Sequence, residues 1–379
     1  MTIFVIPIEQ LDQRYTAQWY EDIPNILRDE CQKRGLSQTV QTIAGQNVSG
    51  QTTEGAFLDF AATNYYKGTQ VAAISELFSD GAVKAGDTFL VTDAWNFVVT
   101  AIRYMSELMD VPVGLHGIWH AGAYDPSDIL GMKMGKAWSA HQERAWFYAC
   151  DASYFGTEFH RSMFLENLDI PSEHHDRAIR SGQPHIQAVQ AGQRHFGADG
   201  RGKTILFPHR LNEDKQPEIF RDLVSHLPSD WDCVITQEDD LSKAELYELF
   251  SRSKIVFSCS LHENLGISLM EGLVCGCIPA VPDRASYREM YFPEFRYPSE
   301  WTTDWHAYIK HRSELVEFLV SLMDRYEELH AGQLVRQKTA IEIDFMYPTA
   351  MVTRMLSPIE DEQASPSDAD GRLARQRTG

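Results

Sequence analysis

Two series of alternating strand-like and helix-like segments constrain the fold of this chain more than any other feature. The first series opens with a β-branched apolar run at 3–8 and ends with a strand at 145–155, with helical patterns such as 96–109 between its strands. The second series begins at residue 204. Such alternation favours parallel sheets with helices on both faces. The sequence therefore predicts an α/β protein with two Rossmann-like, doubly wound parallel-sheet domains that face a central cleft.

The expected domain limits follow from the places where this periodicity stops. A chain of 379 residues is too long for one ordinary core, so two domains are expected. At 170–203 the periodicity is lost and Gly, His, Arg and Gln become frequent, which indicates a solvated linker. The last segment has almost no apolar residues, which is typical of disorder. The predicted parts are an N-terminal domain at 1–169, a linker at 170–203, a C-terminal domain at 204–345, a return segment at 346–356 and a disordered tail at 357–379.

Composition narrows the class of protein and its location. No apolar run approaches the roughly 18 to 20 residues of a membrane span, and the N-terminus lacks the basic region of a signal peptide. Six cysteines lie mostly inside apolar patterns, which indicates reduced thiols and a cytoplasmic protein. A net charge of -20 argues against unspecific adhesion to nucleic acid, although a local basic groove stays compatible with it. Cys275 and Cys277 lack a second ligand pair at metal-binding spacing, so no metal site is expected.

The segment from Glu263 to Glu271 has the most informative spacing in the chain. A strand at 255–258 leads through a polar loop to a helix that opens near Gly266. A helix start offers N–H groups and a positive dipole end, which suit a diphosphate, and glycine allows close backbone approach. The two carboxylates are about 12 Å apart along this segment, which suits the two diols of a nucleotide-sugar. We therefore expect Glu263 to bind the sugar and Glu271 to bind the ribose.

Counter-charge for this diphosphate is expected from the loop that follows the strand at 204–208. Arg210 and Lys215 lie on that loop, ahead of a helical pattern at 217–227. The carboxyl ends of parallel strands share one edge of a sheet, so both cations would lie near Gly266. Two cations there can neutralise a diphosphate leaving group without a metal ion.

Together these residues resemble the donor domain of the family-4-type retaining GT-B glycosyltransferases, over about 204–290. The resemblance implies a GT-B architecture and hexose binding by Glu263 and the backbone of the three residues after it. It also implies ribose binding by Glu271 and phosphate binding by Arg210 and Lys215. The residues that carry the resemblance are Arg210, Lys215, Ser258, Glu263, Asn264, Leu265, Gly266, Ile267, Glu271, Gly272, Gly276, Cys277, Ile278, Pro279 and Glu289.

A histidine motif ends a strand-like run of the first half, at the edge expected to face the cleft. His116 and His120 lie within and just after the run 111–119. The family usually has a histidine here that contacts the transferred sugar, which implies this role for His120, with His116 as the reserve. One departure lies in the second half, where His209 replaces the usual glycine and would narrow the phosphate pocket.

The first loop, 8–20, also departs from the family, which usually has a Gly-Gly turn there. This opening and the motif Trp119-His-Ala-Gly-Ala-Tyr-Asp125-Pro resemble phage-encoded DNA-modifying glycosyltransferases. That resemblance implies double-stranded DNA with hydroxymethylated pyrimidines as the acceptor and partner. Candidate acceptor-binding residues, able to stack on bases or contact phosphates, are Arg14, Tyr15, Trp19, Trp95, Asp125 and the cluster 64–67.

The resulting hypothesis is a retaining, metal-independent transfer of glucose from UDP-glucose to an acceptor hydroxyl in the host cytoplasm, without a further cofactor. His120, Arg210, Lys215 and Glu263 are its catalytic candidates. No carboxylate of the first half is placed as a nucleophile, which favours a front-face mechanism in which the leaving diphosphate takes the acceptor's proton. Three alternatives stay open: a glycan, lipid or small-molecule acceptor, epimerisation of a sugar nucleotide, and a non-enzymatic nucleotide-sugar-binding protein. The oligomeric state stays open as well.

Overall fold

A computed structural model describes residues 1–10, 15–48, 59–239 and 241–357. In the N-terminal half, helices alternate with the strands of one sheet. In chain order these elements are β1 (Thr2–Ile6), α1 (Tyr15–Lys33), β2 (Thr39–Thr42), α2 (Phe60–Ser79), β3 (Thr88–Val91), α3 (Val98–Leu108), β4 (Gly114–Ile118), α4 (Ile129–Met134), α5 (Ala137–Ala149), β5 (Ala152–Phe155), α6 (Glu158–Asn167), a 3-10 turn (Ser172–Arg177) and β6 (Ala178–Arg180).

This first sheet is parallel throughout, with the strand order β2-β1-β3-β4-β5-β6. Its central strands are buried almost completely because helices cover both faces. Phe4 lies opposite Phe89 in one core layer, and Val5 lies opposite Leu90 in the other. Neighbouring residues of a strand point to opposite faces, so each strand serves both layers.

The C-terminal half is built in the same way around a second sheet. Within the described ranges, no helix is both long enough and apolar enough to cross a membrane. The elements are α7 (Ile186–His195), β7 (Thr204–Phe207), a 3-10 turn (Glu213–Lys215), α8 (Pro217–Val224), β8 (Asp232–Ile235), α9 (Lys243–Arg252), β9 (Ile255–Phe257), α10 (Ile267–Val274), β10 (Ile278–Pro282), α11 (Tyr287–Met290), a 3-10 turn (Pro293–Phe295), β11 (Arg296–Tyr297), a 3-10 turn (Ser299–Thr302), α12 (Trp305–Asp324), α13 (Tyr326–Ala331), α14 (Gln333–Asp344) and α15 (Thr349–Leu356).

The second sheet is also parallel, with the strand order β11-β10-β9-β7-β8. In each sheet the direction of winding reverses beside the first strand, between β1 and β3 and between β7 and β9. Ligands of doubly wound sheets bind at the carboxyl ends of the strands at such a switch point. The loops after β7 and β9 carry the predicted donor residues, so the fold places them where a ligand is expected.

Two segments cross between the domains and are hydrogen-bonded to each other. The backbone N–H of Gln183 donates to the Phe345 carbonyl (2.9 Å), and that of His185 donates to the Met346 carbonyl (3.1 Å). After the second crossing, α15 packs on α1 and β6 of the first domain. Its apolar face, which includes Met351, joins the core beneath the first sheet. The helix α15 thereby fastens the second domain to the first.

The predicted fold class is confirmed, but two stretches differ from what the sequence led us to expect. Residues 145–155, expected to form one strand, are the end of α5 followed by β5, because the buried side chains of α5 recur at helical spacing. The segment 170–203, expected to be a linker, contributes β6 to the first sheet and contains α7. The buried face of α7 consists of alanine and glycine, which give little hydrophobic signal. The domain limits themselves stay a prediction.

Candidate active site in the interdomain cleft

A cleft of about 2370 Å³ lies between the two domains. Its lining includes His120 and Trp95 from the first domain and Arg210, Glu263 and Gly266 from the second. Of the described side chains that line it, ten are acidic and five are basic. Because the acidic side chains repel an anion, an anion is expected to bind where basic side chains of the lining lie close together. The contacts of each basic side chain therefore determine whether it is available to bind an anion.

Glu263 and Lys215 form an ion pair in the wall of this cleft. Lys215 ends the 3-10 turn after β7, and Glu263 lies on the loop between β9 and α10. The Lys215 ammonium is 2.9 Å from Glu263 Oε1 and 2.9 Å from Asp214 Oδ2. It also donates to the hydroxyl of Ser260 (3.0 Å) and the carbonyl of His262 (2.8 Å). From sequence we assigned these two residues to different parts of a donor, but the structure places them in direct contact.

The surroundings keep this pair charged. Burial alone raises the pKa of Glu263, but the Lys215 ammonium holds it below its ordinary value. Burial alone lowers the pKa of Lys215, but the carboxylates of Glu263 and Asp214 raise it above its ordinary value. Burial lowers the pKa of His209 to about 4, so its ring is neutral at neutral pH. That ring bonds to Ser258 Oγ (2.8 Å) and lies 3.6 Å from Glu263 Oε1, which joins the loops after β7 and β9.

Gly266 begins α10 in a backbone conformation that favours glycine, with φ +68° and ψ 52°. A Cβ at this position would lie 2.7 Å from Tyr287 Cε1, which is too close for van der Waals contact. Ile267 and Ser268, the first residues of the helix, line the cleft together with Gly266. Leu265 is buried and also lines it. The helix start that we expected to receive a diphosphate therefore borders the cleft.

Arg210 is exposed on the loop after β7 and lines the cleft as well. Its neighbour in sequence, His209, is held by the contacts described above, so the backbone that carries Arg210 is anchored at the end of β7. The structure thus brings Arg210, Lys215, Glu263 and Gly266 to one edge of the second sheet, as the spacing predicted.

Glu271 lies further along α10 and is only 2% exposed. Its carboxylate oxygens are 2.6 and 2.8 Å from the Lys243 ammonium, and one accepts the Tyr247 hydroxyl (3.2 Å). Both partners belong to α9, whose first turn is fixed by reciprocal capping between Ser242 and Glu245. We missed Lys243 and Tyr247 from sequence. Their spacing shows that they share a helix face, but it does not show which helix that face meets.

Asp125 joins the first domain to the second. One oxygen of its fully buried carboxylate is 2.7 Å from His262 Nε2 and accepts the Asn264 amide (3.3 Å), and the other accepts the backbone N–H of Ser127 (3.0 Å). The Asn264 amide also lies 3.4 Å from the carbonyl oxygen of His120. These contacts put the loop between β9 and α10 against the loop that follows β4. The prediction that Asp125 binds an acceptor stays untested, but its carboxylate is bonded to the opposite domain.

A second contact between the domains caps a helix. The carboxylate of Glu289 accepts the backbone N–H groups of Glu158 (3.1 Å) and Phe159 (3.3 Å), in the first turn of α6. Thr157, the N-cap of that helix, donates its hydroxyl to the Asn264 carbonyl (2.7 Å). A carboxylate of the second domain therefore satisfies a helix start of the first, where negative charge is stabilising.

The two histidines of the first domain have different surroundings. His116 lies inside β4, is 8% exposed and bonds to the Tyr154 hydroxyl (2.7 Å). His120 lies two residues beyond β4, lines the cleft and donates through Nε2 to the Thr92 carbonyl (2.7 Å). Burial lowers the pKa of His120, so the ring is neutral and its Nδ1 is in the acceptor form. His120 belongs to the described lining of the cleft and His116 does not, which favours His120 over His116 for the predicted role.

Trp95 lies in a polar cluster on the first-domain wall. The Lys67 ammonium is 3.1 Å from Asp93 Oδ2, donates to the Trp95 carbonyl (2.8 Å) and lies 5.5 Å from the centroid of the Trp95 ring. The Trp95 indole N–H donates to Glu143 (2.8 Å), and burial raises the pKa of Glu143 to about 7. Trp95, Lys67 and Asp93 all line the cleft, as His120 does, so this cluster and His120 belong to the same first-domain wall.

Asn64, from the candidate cluster 64–67, also lines the cleft. Trp19 is 1% exposed, and its indole N–H donates to the Pro184 carbonyl (2.7 Å), so it belongs to the core. Arg14 lies outside the described residues. Of Tyr15, only its position as the first residue of α1 is described.

Metal-binding geometry is absent from the part of the chain that the structure describes: no group of three or more His, Cys, Asp or Glu side chains could hold an ion. Cys275 and Cys277 are buried, and burial raises the pKa of both thiols. The Cys277 thiol donates to the Phe250 carbonyl (3.1 Å). Whether the chain works without a metal ion stays a prediction.

Replacing Gly266 with alanine tests the conformation of the helix start. A side chain at positive φ costs about 1–2 kcal/mol, and here the new methyl group also meets Tyr287. Gly35→Ala is the matched control, because Gly35 has φ +67° with no atom within 4 Å of the added Cβ. We expect Gly266→Ala to lower the free energy of unfolding by more than Gly35→Ala does, in urea denaturation. Equal losses would show that the contact with Tyr287 relaxes without cost.

The contact between Asp125 and His262 makes stability depend on pH. Burial alone lowers the pKa of His262, but Asp125 raises it above 6.5, whereas the pKa of Asp125 is lowered despite its burial. A raised histidine pKa stabilises the fold at low pH, and this contribution is lost as pH rises through the folded-state pKa. We expect the stability difference between the wild type and His262→Gln to be largest at about pH 6 and to shrink as the pH rises through the raised pKa of His262. The shrinkage should disappear when both proteins also carry Asp125→Asn, and a pH-independent difference would contradict the assignment.

No family model matches the chain. Among curated proteins, the tRNA-queuosine alpha-mannosyltransferase of Drosophila melanogaster is 24% identical over 119 residues, which cover 24% of this chain and 32% of that protein. The match thus spans about a third of the length of that relative.

Solved structures resemble the chain over almost its full length. Anabaena HepE in complex with UDP-glucose superposes with a TM-score of 0.56 at 10% identity, over 94% of this chain and 98% of that one. A UDP-forming trehalose-phosphate synthase from Burkholderia xenovorans gives 0.55 at 12% identity, over 94% and 97%. The catalytic domain of starch synthase IV from Arabidopsis thaliana, bound to ADP and acarbose, gives 0.53 at 11% identity, over 94% and 99%. The chain therefore has the two-domain fold of the GT-B glycosyltransferases.

Proposed function

We propose that the chain is a glycosyltransferase that moves a hexosyl group from a nucleotide-sugar to an acceptor hydroxyl. The observation that carries this proposal is the position of Glu263. Its charged carboxylate lies in the cleft beside the start of α10, on a loop that touches the loop of His120 through Asn264. A sugar diol bound to Glu263 would lie beside His120, with the helix start next to its phosphate. HepE, which has the same fold, was solved with UDP-glucose.

The proposed donor lies along the edge of the second sheet. The hexose binds Glu263 and the backbone around Asn264, the diphosphate binds at the start of α10 with Arg210, and the ribose binds Glu271. His120 contacts the hexose from the first domain. Lys215 acts chiefly through Glu263, because its ammonium already has two carboxylate partners.

The proposed reaction retains the anomeric configuration by a front-face path. The bond from the anomeric carbon to the diphosphate oxygen breaks, the bond to the acceptor oxygen forms on the same face, and the acceptor's proton passes to the departing phosphate. Asp93, a carboxylate of the first domain that lines the cleft, is paired with the Lys67 ammonium and accepts the backbone N–H of Trp95 (3.2 Å). A carboxylate engaged in this way is poorly prepared to act as a nucleophile, which supports the front-face path.

Glucose and UDP are the proposed sugar and nucleotide. HepE in complex with UDP-glucose and the UDP-forming trehalose-phosphate synthase support this choice at the level of the fold. Mannose is the second candidate, because the name of the curated relative describes a mannosyltransferase.

The proposed acceptor is a hydroxymethylated pyrimidine in phage DNA. The name of the curated relative describes a nucleoside of tRNA, which supports an acceptor of the modified-nucleoside class. Because acidic side chains outnumber basic ones in the described lining, a DNA backbone would stay outside the cleft and the target base would turn out of the duplex to reach His120. A glycan, lipid or small-molecule acceptor is the competing proposal.

A transfer assay tests the function. We expect label from UDP-glucose to appear on duplex DNA that contains 5-hydroxymethylpyrimidines, and not on plain DNA, and to appear equally in excess EDTA. Glu263→Gln should abolish transfer. Label on queuosine-containing tRNA or on a saccharide would replace the DNA acceptor, and loss of activity in EDTA would contradict the metal-independent account. Epimerised or hydrolysed donor, with no transfer to any of these acceptors, would contradict the glycosyltransferase proposal.

Arg210→Ala should lower kcat by at least about ten-fold, equivalent to about 1.4 kcal/mol. Negative charge grows on the diphosphate as it departs, so this cation contributes more in the transition state than in the donor complex. Arg221→Ala is the control, since Arg221 lies on the neighbouring helix α8 and pairs with Glu238 at the surface (2.8 Å). An unchanged kcat with a raised KM for Arg210→Ala would contradict this role.

A further inference from the structure

Lys243 is one of five basic side chains among the described residues that line the cleft, and the other lysines have fixed partners. Lys215 has four oxygen acceptors within 3.0 Å, which is more than the three N–H bonds of an ammonium can serve. Lys67 is bound to Asp93 in the first-domain wall, and Lys133 lies over the ring of Phe60, also in the first domain. Among the described lining residues of the second domain, Lys243 is therefore the lysine that could join Arg210 in neutralising a diphosphate at the start of α10.

Glu271, the proposed ribose ligand, is the present partner of Lys243. The ammonium contacts both carboxylate oxygens, and the Tyr247 hydroxyl contacts one of them. A carboxylate offers about four lone-pair positions, and a diol bound to both oxygens needs two of them in suitable directions. Lys243 must then release at least one of its two contacts.

The two partners of Glu271 differ in their freedom to move. The side chain of Lys243 is 38% exposed at the first turn of α9, and its four-carbon stem is flexible. Tyr247 is 5% exposed and is packed in the core of the second domain. Lys243 can therefore leave Glu271 without disturbing the core, whereas Tyr247 keeps the carboxylate in place.

We propose, on the basis of the function proposed above, that Lys243 exchanges partners when the nucleotide binds. Its ammonium yields an oxygen of Glu271 to the ribose hydroxyls and moves to the diphosphate, which is bonded to the same ribose. Lys243 is then a donor-binding residue that supplies counter-charge together with Arg210. The same lysine keeps the buried carboxylate of Glu271 paired when no ribose is bound to it, which avoids the cost of an unpaired buried charge.

Binding of UDP and of uridine to Lys243 variants tests this exchange. We expect Lys243→Met to weaken UDP binding by at least about tenfold in calorimetry, the loss of one charge-assisted contact. Uridine lacks the diphosphate, so its affinity, measured by ligand-observed NMR, should change by less than about threefold. Lys243→Arg should keep UDP affinity within about threefold of the wild type. The control Lys203→Met removes an exposed ion pair with Asp230 (2.7 Å) in the same domain and should leave both affinities unchanged.

Three outcomes would overturn the exchange. An unchanged or higher UDP affinity in Lys243→Met would mean that the lysine only occupies Glu271. Equal weakening of UDP and uridine would make Lys243 a structural support of Glu271 with no contact to the diphosphate. A wild-type protein that binds no UDP would overturn both this exchange and the proposed function, and this result is distinguishable because it appears before any variant is compared.

Discussion

The ion pair between Glu263 and Lys215 is the interaction on which the candidate site depends. It joins the loops that follow β7 and β9, the two strands at the switch point of the second sheet. A buried carboxylate without a partner would be strongly destabilising or would take up a proton. The same lysine bonds to Ser260 and to the carbonyl of His262, so it also fixes the course of the loop before Gly266. The contact between Lys215 and Glu263 therefore stabilises the charge of Glu263 and the conformation of the loop that leads into α10.

That loop is also where the domains touch. His262 and Asn264 flank Glu263 in sequence, and both bond to Asp125 of the first domain. The Asn264 carbonyl accepts the hydroxyl of Thr157, which starts a helix of the first domain. A shift of one domain against the other would therefore move the residues on both sides of Glu263, which is proposed to bind the sugar. The proposed donor binding would therefore depend on the relative position of the two domains.

Much of the fold and part of the site were predictable from sequence, for identifiable reasons. Strands of parallel sheets are continuous apolar runs, so the alternation of runs and helical patterns was enough to predict two doubly wound domains. The helix α7 was not predicted because its buried face consists of small residues, which give little hydrophobic signal. The order of Arg210, Glu263 and Gly266 along the chain placed them at one sheet edge, because the topology of such sheets is regular.

The contacts of these residues were not predictable in the same way. Asp125 meets His262 across 137 positions, and Lys243 meets Glu271 because two helices pack together. Such pairs depend on tertiary packing, which leaves no local pattern in the sequence. The sequence showed Lys215 as a cation of the predicted site, but it did not show that Lys215 pairs with Glu263.

We propose that the cleft holds a nucleotide-sugar in one direction, with the hexose toward Glu263 and His120 and the ribose toward Glu271. A crystal structure of the protein with UDP-glucose tests this most directly. We expect the hexose hydroxyls to lie within hydrogen-bonding distance of Glu263, the ribose hydroxyls to bind Glu271 and the diphosphate to lie at the start of α10. A ligand bound in the opposite direction, or outside the cleft, would contradict it.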